Sequence, residues 1–156
     1  MNLIKVGAAI LNQTPLDWDG NFNNIKCAIE EARKAGVSIL CLPELCLSGY
    51  GCEDAFYSPS ISKTALDYLK KIIPLTSNIN VCLGLPVLFQ KRLYNAAAFI
   101  SNRKLYGFVC KQFLAGHGVH YEQRWFTPWQ KSKKSKIKFH GEDVSIGDFL
   151  FNVENV

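Results

Sequence analysis

The sequence predicts an α/β domain: a mixed sheet with helices on one face. Three observations carry that expectation. The first 44 residues read strand–helix–strand, the crossover unit that joins parallel strands. The apolar runs between residues 80 and 111 are separated by turns too short for a crossover, so they should pair antiparallel. The chain has 156 residues, 48% hydrophobic and 12% aromatic, which is enough for one packed core and excludes a disordered chain.

Ile4 to Leu11 is nearly continuous in apolar residues, the pattern of a strand covered on both faces. A turn-rich patch, Asn12-Gln13-Thr14-Pro15, precedes a helix that Asp19 or Asn21 can cap, with Ile25, Ala28, Ile29 and Ala32 at helical spacing. Gly36 ends that helix, because glycine takes the left-handed conformation at low cost. Val37 to Leu42 is a second strand, ending at Pro43-Glu44. The segment from Ser48 to Asp54 is too rich in glycine and polar residues to continue it and reads as a loop. Thr64 to Ile73 is a second helix with Leu66, Leu69, Ile72 and Ile73 on one side and Pro74 after it. Strands follow over Asn80–Leu88, Leu93–Ile100 and Lys104–Lys111, with turns near Arg92 and at Asn102-Arg103. Gly147 to Val153 is a last strand-like run that stops at Val156 without a covering element, so the sequence reads as the first part of a longer domain.

No window approaches the roughly 20 apolar residues that span a bilayer, and the first residues lack a secretory pattern. The expected compartment is the cytoplasm. Cys41, Cys82 and Cys110 sit in strand-like runs and Cys27 in a helical pattern, as buried reduced thiols would. There is no C-x-x-C, and His117, His120 and His140 lack zinc-site spacing to cysteine, so no metal is expected. The net charge of +5 is uneven: residues 1–70 carry six basic and eight acidic groups, residues 71–156 twelve and five. Lys131, Lys133, Lys134, Lys136 and Lys138 concentrate the excess. Without interleaved aromatics or arginines this run reads as a solvated loop, which argues against a nucleic-acid partner.

Two ionisable groups end buried strands, Glu44 and Lys111. Ligands of α/β sheets gather at such strand ends. A carboxylate shielded there would have a raised pKa and could take a proton near neutral pH, and a lysine beside it could stabilise an oxyanion. Position alone favours the plainer reading, two strand-end charges reaching for solvent.

The motifs add more. Pro43-Glu44-Leu45-Cys46-Leu47-Ser48-Gly49-Tyr50 resembles the first signature of the nitrilase (carbon–nitrogen hydrolase) superfamily. Lys111-Gln112-Phe113-Leu114, with Gly118, Tyr121-Glu122 and Arg124-Trp125-Phe126, resembles the second. More narrowly, Gly49-Tyr50-Gly51-Cys52-Glu53-Asp54 and the stretch from Glu122 to Trp129 are similar to the amidase domain of the glutamine-dependent NAD(+) synthetase family, as are Leu11-Asn12-Gln13 and Gly20-Asn21.

That resemblance implies part of an α-β-β-α sandwich, with residues 1–156 as the incomplete N-terminal portion of the amidase domain. It implies a Glu–Lys–Cys centre hydrolysing glutamine, with Glu44 as the base, Lys111 as the cation over the tetrahedral intermediate, and Glu122 orienting lysine and substrate. Tyr50 and His117 fall where substrate contacts are expected, although relatives often carry an aromatic residue at position 117. No cofactor is implied for the amidase step; ATP and deamido-NAD would belong to a separate synthetase domain. The family's Glu-x-Cys-Glu-like stretch has no counterpart, since the last cysteine is Cys110, and Cys46 and Cys52 lack the nucleophile's context. The expectation is therefore a half-site without its thiol, inactive alone, whose uncovered sheet drives homo-oligomer formation. Two alternatives stay open: a hydrolase of another small amide, and a non-catalytic interaction module that binds through residues 131–138. A Glu-x-Cys-Glu motif or a stop codon after Val156 would separate the synthetase reading from the module.

Overall fold

The computed structural model describes residues 3–118 and 121–153. Seven strands form one sheet in the order β1-β2-β3-β4-β5-β7-β6. The strands are β1 (Val6–Ala8), β2 (Ile39–Cys41), β3 (Asn80–Phe89), β4 (Arg92–Ser101), β5 (Lys104–Cys110), β6 (Lys134–Phe139) and β7 (Glu142–Gly147). β1, β2 and β3 are mutually parallel, β3, β4 and β5 antiparallel, and β7 parallel to β5 and antiparallel to β6. The mixed sheet expected from the sequence is present.

Helix α1 (Trp18–Lys34) makes the crossover between β1 and β2, and α2 (Pro59–Ile72) the one between β2 and β3. α1 buries Ile25, Ile29 and Ala32, and α2 buries Ile61, Ala65, Leu69 and Ile72. Alternate residues of the sheet meet them: Val81, Leu83, Leu85 and Val87 of β3, Ala96, Ala98 and Ile100 of β4, and Phe108 of β5. A smaller cluster, Leu45, Cys52, Phe56, Ile61, Leu93 and Phe126, lies beneath the loops at the strand ends.

Several expectations are corrected. The first strand is three residues long and sits at the sheet edge, with Val6 70% and Ile10 99% exposed, because no element covers its second face among the described residues. The second strand is likewise confined to Ile39–Cys41. α1 is capped by Asp17, whose carboxylate accepts from the Gly20 amide at 3.1 Å. Asn21 is instead buried, trading two hydrogen bonds with the Thr14 backbone. Gly36, at φ 70°, follows the helix as expected. α2 starts five residues earlier than the periodicity suggests, with Pro59 in its first turn where a missing N–H costs nothing. The turn before β4 is Gln90-Lys91; like Asn102-Arg103, both its residues have positive φ, the mirror-image geometry whose twist matches that of the strands.

Only the start of the lysine-rich run, through Lys133, is a turn; the rest is strand β6. Lys134, Lys136 and Lys138 point to one face of β6, alternating with half-buried Ser135, Ile137 and Phe139. Lysines on an edge strand oppose pairing with further strands. The run expected over Gly147–Val153 is not a strand either: the last one ends at Gly147, and Phe151 beyond it stacks on Phe99, with ring centroids 4.3 Å apart. Two cysteines expected to be buried, Cys27 and Cys41, are exposed. His120 lies outside the described residues. No helix among the described residues is long and apolar enough to cross a membrane.

Candidate active site

Glu44 stands three residues beyond β2, on a turn laid across β3. Leu42 donates to the Cys82 carbonyl at 2.9 Å and Leu47 to the Gly84 carbonyl at 3.3 Å, pinning both sides of the turn. Between them Leu45 adopts φ 50°, a left-handed conformation that a leucine holds only when its surroundings dictate it. Its side chain, 1% exposed, anchors the smaller apolar cluster. A Cβ on Gly84 would come within 2.4 Å of the Leu45 nitrogen and 2.5 Å of the Pro43 oxygen, so the turn can approach the sheet only over a glycine.

Lys111 follows β5. Its backbone N–H donates to Asn95 and its carbonyl accepts from Trp129, which holds it in line with the strand. Glu122 opens α3 (Glu122–Trp125), a four-residue helix tied down by Arg124, whose Nε lies 2.7 Å and Nη2 2.8 Å from the two oxygens of Asp54. The Trp125 indole donates to the same carboxylate at 2.9 Å. These bonds hold the Asp54 carboxyl well below the usual carboxylate range.

The three side chains converge. Lys111 Nζ lies 2.5 Å from Glu44 Oε1 and 2.9 Å from Glu122 Oε2. The Ala115 amide donates to Glu122 Oε2 at 2.7 Å, and Tyr50 Oη to Glu122 Oε1 at 3.3 Å. Asn95, on β4, donates from Nδ2 to Glu44 Oε1 at 2.6 Å and to Glu122 Oε1 at 3.1 Å. Glu122 is 2% exposed, whereas the Lys111 and Glu44 side chains keep 30% and 40% of their surface in contact with solvent. The shielding expected around Glu44 is therefore not supplied by the described residues.

Burial pushes the Glu122 carboxyl up, but the Ala115 amide and the Lys111 ammonium outweigh it and hold it below the ordinary glutamate value. Burial likewise disfavours charge on Lys111, and its bonds to Glu44 and Glu122 reverse the effect, so the ammonium persists above its ordinary range. Burial and the Glu122 charge raise Tyr50, which keeps its hydroxyl a donor.

Four of the five residues singled out in the sequence, Glu44, Lys111, Glu122 and Tyr50, thus share one hydrogen-bonded cluster. His117 is exposed, and no hydrogen bond joins it to the cluster among the described residues. Asn95 escaped the sequence reading; the signal was present as a single amide side chain within the apolar run from Leu93 to Ile100.

None of the nearby thiols is placed as a nucleophile. Burial pushes Cys46 up to about 12, and its Sγ faces the Gly84 carbonyl at 3.7 Å. Cys52, also raised by burial, donates to the Ser48 and Gly49 carbonyls. Cys110 is pushed up to about 12 by the same cause. Thiol reactivity follows thiolate fraction and access. Ellman's reagent on the native chain should accordingly modify Cys27 and Cys41 rapidly and leave Cys46, Cys52 and Cys110 untouched until unfolding. Rapid labelling of Cys46 would contradict this arrangement. Among the described residues no group of three or more His, Cys, Asp or Glu side chains could hold a metal ion.

Residues 5–148 match the carbon-nitrogen hydrolase family. The chain belongs to that family. A glutamine-dependent NAD(+) synthetase of Arabidopsis thaliana is 37% identical over 136 residues, covering 86% of this chain and 19% of its own length. The human protein of the same name is 34% identical over 138 residues. The crystal structure of a glutamine-dependent NAD(+) synthetase from Cytophaga hutchinsonii superposes with a TM-score of 0.94 at 46% identity, covering 97% of this chain and 26% of that one. An amidase from Nesterenkonia sp., at 20% identity and a TM-score of 0.70, shares the fold. The chain spans about a fifth of the length of the curated relatives it matches. This member of the nitrilase superfamily thus carries the sheet and one helical layer of the nitrilase-type sandwich, with the polar cluster at the carboxyl ends of β2 and β5.

Proposed function

We propose that the cluster is the base, lysine and orienting-glutamate part of a centre that hydrolyses the side-chain amide of glutamine. The observation that carries this reading is Lys111 Nζ between two carboxylates, 2.5 Å from Glu44 and 2.9 Å from Glu122. Glu44 takes the proton of an attacking thiol and returns it to the departing ammonia. Lys111 faces the oxyanion of the tetrahedral intermediate, while Glu122, held by Ala115 and Lys111, orients the ammonium and the substrate amine. The step draws on no cofactor. In the full reading the ammonia amidates deamido-NAD with ATP in a separate synthetase domain, and residues 1–156 are the first portion of the amidase domain. The names of the relatives support this assignment over another small amide.

The chain has no cysteine after Cys110, and its buried thiols are unsuited to attack, so the reading makes residues 1–156 inactive by themselves. Glutamine added to the purified chain should shift the NMR signals of Lys111 and Tyr50 and release no ammonia above background. Ammonia release by the chain would overturn the assignment of the thiol, and an unperturbed cluster at saturating glutamine would overturn the assignment of the substrate.

The reading includes a homo-oligomer. Val6 on the edge strand and Ile4 and Ile10 on either side of it are half to fully exposed, and Leu150 and Phe113 are 97% and 87% exposed. Exposed apolar surface of this kind drives association. Light scattering should give a mass above the 17.5 kDa of one chain; a concentration-independent monomer would remove this part of the proposal.

A further inference from the structure

Asn95 is 4% exposed and belongs to none of the motifs, yet its amide nitrogen touches both acidic groups of the cluster. An Nδ2 group carries two hydrogens, so both bonds can be made at once. Glu44 and Glu122 otherwise share one ammonium, and two like charges so close ordinarily force a proton onto one of them. Glu122 is also buried, which adds to that pressure. The Asn95 amide relieves it without adding charge. It meets Glu44 on Oε1, the oxygen that Lys111 also binds, and leaves Oε2 outside both bonds.

We propose that Asn95 is a positioning residue of this site: a neutral double donor that bridges the two carboxyl groups facing Lys111, helps Glu122 stay ionised, and turns Glu44 so that Oε2 receives the proton. The second half rests on the reading of Glu44 as the base; the first does not. The bridge also explains why β4, at the centre of the sheet, interrupts its apolar run at that one position. Its carbonyl receives the Lys111 backbone N–H at 2.8 Å, so residue 95 fixes the lysine through the main chain as well as the carboxylates through its side chain.

The test is an NMR titration of the native chain, following the carboxyl carbons of Glu44 and Glu122 together with the Asn95 side-chain amide. The amide protons should be protected from exchange at neutral pH and should shift at the midpoint of the Glu122 carboxyl. Amide signals that exchange freely, or that stay still while Glu122 titrates, would overturn the bridge without any variant being made. In Asn95→Ala the Glu122 midpoint should rise by about one unit, a tenfold change in proton affinity. Asn95→Asp keeps the shape and replaces donors by acceptors, so the cluster should bind an extra proton near neutral pH. A merely structural asparagine would lower the urea midpoint of Asn95→Ala equally at every pH. The proposed role confines the loss to pH values at which Glu122 is ionised. A pH-independent loss, or an unmoved Glu122 midpoint in either variant, would refute the role. A moved midpoint in a chain that fails to bind glutamine would keep the bridge and discard the amidase reading.

Discussion

Lys111→Met should cost the fold about 2–3 kcal/mol at neutral pH, somewhat under the usual penalty for breaking a buried ion pair. The reduction follows from solvent reaching the site: the lysine is 30% and Glu44 40% exposed, so water screens part of the repulsion left behind. Glu122, at 2% exposure, has no such relief and makes up most of the loss. The pH dependence gives the sign. The folded Glu122 carboxyl lies below its unfolded value of about 4.3, so its stabilisation is present above that pH and fades as the pH falls through the folded value. The folded Lys111 lies above its unfolded value of about 10.4, so its stabilisation is present below that pH and fades as the pH rises through the folded value. Urea melts of the parent chain should therefore show a plateau between these limits. Lys111→Met should lose the alkaline fall owed to this residue and recover stability on acidification, as the carboxylates protonate. Adding Glu122→Gln should restore part of the loss. A variant as stable as the parent at pH 7 would mean that the ion pairs contribute nothing to the fold.

Gly84→Ala should be at least as damaging, by about 3 kcal/mol. The added methyl group would lie 2.4, 2.5 and 2.8 Å from main-chain atoms of Leu45, Pro43 and Glu44. No side chain can swing aside to make room, so the turn itself must lift. Glu44 would then leave Lys111, and the two effects can be read separately: stability by chemical denaturation, and the contact by the Lys111 ammonium signal. Gly51→Ala is the matched control. Its Cβ would meet only the Pro15 ring, at 3.4 Å, and the change should stay within about 0.5 kcal/mol. Equal losses at the two glycines would dismiss the close approach as the cause.

Much of this architecture can be read in the sequence because the signals are local. The β3-β4-β5 meander follows from alternating apolar runs and two-residue turns, and α1 from its periodicity and Gly36. Glu44 and Lys111 are visible because each ends an apolar run. What the sequence hides is set by neighbours distant in the chain. Lys134, Lys136 and Lys138 look like a solvated tract until β7 supplies the pairing partner that makes them one face of a strand. The exposure of Val6 and Cys41 depends on what covers the second face of the sheet, which residue type does not report. Asn95 is hidden for the same reason: a lone amide in a strand acquires meaning only once Glu44, 51 positions earlier, and Glu122, 27 later, are folded against it.

The two halves of the sheet differ in how far apart in the chain their partners lie. The meander joins residues across two-residue turns, whereas Glu44 must close a 67-residue separation to reach Lys111. Long closures lag behind short ones, because chain entropy is lost before any contact compensates it. Loop-closure entropy therefore predicts that Asn95 and Lys111 meet first and that Glu44 joins them later. Contacts made after the folding barrier govern how fast a protein comes apart rather than how fast it forms. On that order, weakening the bond between Glu44 and Lys111 should speed unfolding more than it slows folding.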